Sequence, residues 1–158
     1  MRSGAQILEE LVDYYGPANR VGILKVHLFR PWSVRHFSTQ LPSTVRRIAV
    51  LNRCKEHGVG EPLYTDVCAT LQSSGSDVRI IGGQYGLASK DFMTGMAHAV
   101  FENLAASKLK HPFTVGIVDG LCHLNLGYTE LSTMPAGTAQ CMYFGVGSNG
   151  TVGANKNT

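Results

Sequence analysis

The chain has 158 residues with 14 basic and 11 acidic side chains, and hydrophobic residues make up 44% of it. These values favour a folded chain of one domain or slightly more, and they exclude a disordered or collagen-like protein. Charged residues make up only 16%, against ~25% in an average soluble protein. The composition therefore predicts that part of the surface lies against another domain or protein.

Several classes of protein are disfavoured. The basic residues are scattered, without the dense basic stripe of a nucleic-acid-binding surface. No apolar run is long enough for a membrane span, and no signal peptide precedes the first helical pattern. The four cysteines contain no C-x-x-C pair, so we expect packed, reduced thiols rather than a metal or iron–sulfur motif; they are Cys54, Cys68, Cys122 and Cys141. A soluble intracellular protein is the default expectation.

The first half of the chain predicts alternating helices and strands. Apolar residues recur every three or four positions over 5–15, which predicts an amphipathic helix. A short apolar run at 21–28 predicts a strand buried on both faces. Ser33 can cap a second helix, 46–51 predicts the next strand, and Pro62 suits the first position of a third helix.

The second half continues the alternation. Residues 78–82 and 113–118 predict strands, and 94–107 predicts the helix between them. A further strand is predicted at 139–144, followed by a glycine-rich loop. Nearly continuous apolar strands separated by helices indicate an α/β fold, with a mostly parallel sheet and helices on both faces. The pattern opens in a helix and closes on a strand and loop, which predicts a domain lacking its first strand and the truncated start of a second α/β unit.

The last loop contains a possible phosphate-binding motif. Gly145, Gly147 and Gly150 match G-x-G-x-x-G after a predicted strand, where backbone N–H groups and a helix N-terminus can hold phosphate. The same spacing also occurs in plain tight turns between a strand and a helix. Both interpretations stay open on the residues alone.

The loop at 52–58 follows a predicted strand, at the edge of the sheet where such folds bind ligands. Arg53 and Lys55 could contact an anion there, or the loop could be solvated or lie between domains. Cys54 lacks a visible orienting partner for nucleophilic chemistry. The residues predict no catalytic constellation and no metal site.

Long motifs resemble one family, the pyruvate:ferredoxin (flavodoxin) oxidoreductases, also called pyruvate synthases. They follow one another over essentially the whole chain, at 28–33, 48–56, 61–67, 83–92, 99–104, 113–119 and 150–157. The resemblance implies that 1–135 form a domain similar to the transketolase C-terminal domain, the second domain of the family. It also implies that 137–158 open the next domain, which lies on the coenzyme A side.

The resemblance implies the chemistry of a much larger enzyme. Such an enzyme oxidatively decarboxylates pyruvate to acetyl-CoA and CO2, using thiamine diphosphate, Mg²⁺ and [4Fe–4S] clusters, with ferredoxin or flavodoxin as electron acceptor. It implies a homodimer located in the cytoplasm, or in a hydrogenosome-like organelle of a eukaryote. The cofactor ligands are expected in other domains, so this segment is expected to bind no cofactor and to be inactive alone.

The only ligand residues that the resemblance suggests lie in the last loop. The resemblance implies that these residues lie on the coenzyme A side. They are Gly147, Thr151, Gly153, Asn155 and Lys156. The chain also departs from the family pattern at five positions. The family usually has aspartate in place of Asn52, Gly120 and Asn149, threonine in place of Cys54 and proline in place of His57. Two alternatives stay open: a non-catalytic module of a sulfite reductase flavoprotein, and a stand-alone binder of coenzyme A or a nucleotide.

Overall fold

The structure is a computed structural model that describes residues 2–54, 56, 60–87, 90–118, 121–142, 144 and 153. The helices are α1 (Arg2–Tyr15), α2 (Val34–Gln40), α3 (Pro62–Ser73) and α4 (Thr94–Ala105), with one turn of 3-10 helix at Pro17–Asn19. The strands are β1 (Arg47–Asn52), β2 (Arg79–Tyr85), β3 (Phe113–Val115) and β4 (Asn125–Leu126). Among the described residues, helices and strands alternate from α2 to β3.

The four strands form one parallel sheet in the order β1-β2-β3-β4. Arg47 pairs with Arg79 and Asn52 with Gln84, so β1 and β2 are in register over the whole of β1. The carboxyl ends of β1 and β2 therefore lie side by side. This architecture confirms the predicted α/β fold with a parallel sheet.

Helices cover both faces of the sheet. On one face, Leu11 of α1 and Val100 of α4 pack with Ile81 and Phe113. On the other face, Phe37 of α2 and Val67 of α3 pack with Val50. Successive side chains of a strand point to opposite faces, so the apolar runs in β1 and β2 supply both layers at once.

Local sequence signals account for the helix ends. The Ser33 hydroxyl accepts a hydrogen bond from the His36 N–H at 3.3 Å, which is the predicted N-cap of α2. Pro62 is the first residue of α3, as predicted, where its missing N–H is harmless. At the end of α4, the Asn103 side chain donates to the Lys110 carbonyl and accepts from the Lys110 N–H, at 3.0 and 2.9 Å.

The predicted strand at 21–28 is wrong. These residues pair with no strand among the described residues, and the Leu28 side chain is 70% exposed. An apolar run becomes a strand only when a neighbouring strand takes up its backbone N–H and C=O groups. The segment 21–29 instead runs as irregular chain, tied to α1 by an ion pair between Lys25 and Glu9.

The predicted strand at 139–144 is also wrong over its described residues, 139–142 and 144. They have no strand backbone, and Phe144 is 89% exposed, so no described residue buries it. The predicted strand at 113–118 ends at Val115, because Gly116 has a φ of 69° that breaks the extended conformation. Conversely, β4 was not predicted, since two residues carry no periodic signal.

Candidate functional site

The predicted coenzyme-A-side residues fall almost entirely outside the described part of the chain. Gly147, Thr151, Asn155 and Lys156 are in this group. Gly153 is described, and it is exposed, with helical backbone and no heavy atom of another described residue within 4 Å of the position that a Cβ would take. The role suggested for this loop therefore stays a prediction.

The structure does bring polar groups together at the carboxyl ends of β1 and β2. Arg53 follows β1 directly, and its Nε donates to the Gly86 carbonyl just beyond β2 at 2.6 Å. Gly86 has a φ of 55°, a left-handed conformation that suits glycine. Arg53 thus ties two strand ends together, which is a structural use of a residue predicted as an anion contact. Lys55, its predicted companion, lies outside the described residues.

Beside this tie lies a buried polar cluster formed by Asn52, Glu61 and Gln84. The Gln84 side-chain amide donates to the Glu61 carboxylate, which precedes α3. Glu61 is buried, and Asn52 is only 5% exposed. The Nδ2 of Asn52 is buried without a hydrogen-bond partner among the described residues. An unpaired buried donor costs roughly 1–3 kcal/mol, so this amide needs a partner.

A cleft of about 240 Å³ opens next to Asn52. Its walls are Val26 and Phe29 from the irregular segment, Asn52, Arg53 and Cys54 at the end of β1, and Pro62 and Leu63 at the start of α3. A larger cleft of about 360 Å³ lies elsewhere, lined by residues such as Ser38, Leu41 and Ser74. Ligands of open parallel sheets bind at the carboxyl ends of strands, so the cleft beside Asn52 is the candidate site.

The titratable groups at the site are poorly suited to catalysis. Burial raises the pKa of the Cys54 thiol, and the carboxylates of Glu56 and Glu61 raise it further. A raised thiol pKa reduces the thiolate that a nucleophile needs. Tyr64 does not line the cleft; its hydroxyl is hydrogen-bonded with His111, and burial and a hydrogen bond with Cys68 raise its pKa to about 12. The cleft can bind an apolar group, but it carries no activated nucleophile among its described residues.

The described residues do not fit a metal ion or an iron–sulfur cluster. No group of three histidine, cysteine, aspartate or glutamate side chains in the described ranges could hold a metal. The cysteines are unpaired thiols at separate places, with Cys122 and Cys141 exposed. None of the described helices is both long and apolar enough to cross a bilayer.

Sequence reasoning missed Glu61 and Gln84 as members of the cluster. Glu61 carries a weak signal, since it directly precedes the proline that opens α3. Gln84 carries none, because it lies beyond the predicted strand at 78–82. It becomes part of the cluster only because β2 continues to Tyr85 in register with β1.

The chain is similar, from end to end, to known pyruvate oxidoreductases. It is 50% identical over 161 aligned residues to the pyruvate:ferredoxin oxidoreductase of Moorella thermoacetica, with the whole chain covered. The chain is therefore homologous to one segment of these enzymes. The identity is 47% with both the pyruvate-flavodoxin oxidoreductase of Nostoc and the NADP(+)-dependent pyruvate dehydrogenase of Euglena gracilis. No family model matches the chain.

The homologous segment is a small part of those enzymes. The chain spans 14% of the length of the Moorella and Nostoc relatives and 9% of the Euglena relative. This confirms the predicted resemblance and its fragmentary extent.

Proposed function

We propose that the chain is a segment of a larger enzyme that oxidatively decarboxylates pyruvate, and that the segment itself has a packing role. The observation that carries the proposal is the 50% identity to the Moorella relative over the whole chain. In the proposed enzyme, pyruvate yields acetyl-CoA and CO2, with thiamine diphosphate, Mg²⁺ and [4Fe–4S] clusters bound by other domains. The segment contributes no ligand to those groups.

The names of the relatives support a role away from the electron acceptor. One relative is named for ferredoxin, one for flavodoxin and one for NADP(+), yet identity in this segment is 50%, 47% and 47%. If this segment selected the electron acceptor, its sequence would be expected to differ more between relatives that are named for different acceptors. We therefore propose that ferredoxin or flavodoxin binds elsewhere in the larger enzyme.

Exposed apolar side chains support packing of this segment against other domains of the proposed enzyme. We propose that the complete enzyme is a homodimer. Val118 and Leu121 follow β3 and are 77% and 95% exposed. Large contiguous apolar patches mark interaction surfaces, and we propose that these two side chains belong to one. The low charged fraction, 16%, supports the same interpretation.

We further propose that the loop from Gly147 to Lys156 faces coenzyme A in the larger enzyme. Only the resemblance supports this, through Gly147, Thr151, Gly153, Asn155 and Lys156. Calorimetric titration of the 158-residue chain with coenzyme A checks whether the loop binds without its neighbours. Saturable heat would favour a stand-alone binder, whereas an absence of heat is expected if other domains complete the site.

The main test compares two proteins made from the same gene region. The longest reading frame that contains the chain is expressed beside the 158-residue chain, and acetyl-CoA formation from pyruvate is measured with a dye as electron acceptor. We expect activity only from the longer polypeptide. Activity in the short chain, or no activity in the longer polypeptide with its cofactors bound, would refute the proposal.

A further inference from the structure

The larger cleft, with a volume of about 360 Å³, lies at the amino ends of β1 and β2. One wall comes from Ser38 and Leu41 at the end of α2 and from the loop 42–46 that leads into β1. The other wall comes from the end of α3 and from the turn 74–78 that leads into β2. We call it the amino-end cleft, and its size is within the range of small-molecule sites, ~300–1,000 Å³.

The floor of the amino-end cleft is aliphatic. Leu41, Leu71 and Val78 line it, and all three belong to the layer that α2 and α3 form on the sheet. Leu71 is only 4% exposed, so the floor is part of the packed interior. Transfer of an aliphatic group from water onto such a surface is favourable, so the floor suits a small aliphatic group of a ligand.

A positively charged group stands on the first wall. The Arg46 Nη1 donates to the carbonyls of Ser43 and Val45, at 3.1 and 3.3 Å. These bonds anchor the guanidinium to the loop through one nitrogen. Its Nε and Nη2 make no hydrogen bond with a described residue. That edge of a guanidinium can donate two parallel hydrogen bonds to a carboxylate.

A negatively charged group stands on the second wall. Asp77 lines the cleft just after α3, and among the described residues its carboxylate has no ion pair, Arg46 included. The carboxyl end of a helix carries partial negative charge, so α3 and Asp77 both favour a cation at this wall. The hydroxyls of Ser38, Ser43 and Ser76 add hydrogen-bonding groups between the two charges.

We propose that the amino-end cleft binds a free amino acid with an aliphatic side chain. The α-carboxylate of the ligand pairs with Arg46, its α-ammonium pairs with Asp77, and its side chain lies on the floor. Asp77 repels a simple anion, Arg46 repels a simple cation, and a neutral ligand leaves both charges unmatched. A zwitterion matches both. This inference goes beyond the proposed function and needs no pyruvate chemistry.

A series of related ligands tests which groups are recognised. L-leucine is titrated calorimetrically into the 158-residue chain and into the longest natural polypeptide that contains it. We expect saturable binding of leucine in both proteins. 4-Methylpentanoate lacks the ammonium, 3-methylbutylamine lacks the carboxylate and glycine lacks the aliphatic side chain. Each of the three should bind about tenfold more weakly or less, because each leaves one part of the cleft unmatched.

Two variants place the ligand in the cleft. Arg46→Lys keeps the charge but loses the forked donor edge, and Asp77→Asn removes the negative charge. Each should weaken leucine binding by about tenfold. Lys108→Gln and Asp13→Asn are the matched controls, because both residues are exposed and neither lines the cleft. Leucine affinity in the controls should equal that of the unsubstituted protein.

Each outcome decides for or against the site. The inference is refuted by an absence of saturable leucine binding up to about 10 mM, by equal binding of 4-methylpentanoate, or by unchanged affinity in Arg46→Lys and Asp77→Asn. Binding in the short chain but not in the longer polypeptide would show that a neighbouring domain covers the cleft and would also overturn it. A longer polypeptide that binds leucine but does not oxidise pyruvate would refute the proposed function alone.

Discussion

Replacing Gly83 by alanine should destabilise the sheet strongly. A Cβ at Gly83 would lie 2.2 Å from the Phe113 Cζ and 2.3 Å from its Cε2, whereas carbon atoms in contact sit ~3.5–4.0 Å apart. Phe113 is only 1% exposed and packs within the α1 and α4 layer, so its ring has no free space to enter. Overpacking of this kind costs ~1–3 kcal/mol.

An overpacking cost of ~2 kcal/mol is offset by ~0.4–1 kcal/mol from the lower entropy of the unfolded alanine chain, so the expected loss in free energy of unfolding for Gly83→Ala is about 1–1.6 kcal/mol. Urea denaturation measures it as a lower midpoint at constant slope. Gly127→Ala is the matched control, because no atom lies within 4 Å of its Cβ position. The double variant with Phe113→Leu should recover part of the loss. A Gly83→Ala midpoint equal to that of the control, or simple additivity in the double variant, would refute the reasoning.

Three further predictions concern a pair of hydrogen bonds, a tyrosine pKa and the reactivity of two thiols. Asn103→Ala should lower stability by ~2 kcal/mol in urea denaturation, because it leaves both backbone groups of Lys110 unpaired; a loss below ~0.5 kcal/mol would argue against these bonds. The pKa of Tyr64 is about 12 in the folded state against 10.0 ordinarily, so the folded state holds the phenolic proton more tightly and stability should fall as the pH rises from 10 through 12. Tyr64→Phe should reduce that fall, and an unchanged slope would contradict the pKa. Alkylation at mildly alkaline pH, mapped by mass spectrometry, should modify Cys122 faster than Cys54, because Cys122 is exposed whereas the thiol pKa of Cys54 is raised. The reverse order would disprove the partly buried environment of Cys54.

Local sequence signals predicted the helices well, because their causes are local. Apolar spacing over 5–15 predicted α1, the Ser33 cap predicted the start of α2, and Pro62 predicted the start of α3. A helix satisfies most of its own backbone hydrogen bonds, so residues a few positions apart determine it. The ends were less certain, and α4 stops at Ala105, two residues before its predicted end.

Strand prediction failed where the partner mattered. The run at 21–28 is as apolar as those that became β1 and β2, but it pairs with no described strand. The same limit applies to Gln84, which lies beyond the predicted strand at 78–82 but belongs to β2, beside Asn52. The buried cluster with Glu61 depends on register between strands that are about thirty residues apart, and no spacing in the sequence expresses that register.

The sequence by itself determined the helices, the alternation with apolar strands and the family resemblance, because these reside in local patterns and in long ordered motifs. Only the tertiary structure decided which runs pair and that Arg53 ties β1 to the turn after β2. It also decided that Asn52 is buried beside a cleft, with no partner for its Nδ2 among the described residues. The physical reason is that strand pairing and burial are properties of distant residues brought together, and each backbone group must find its partner in the assembled sheet.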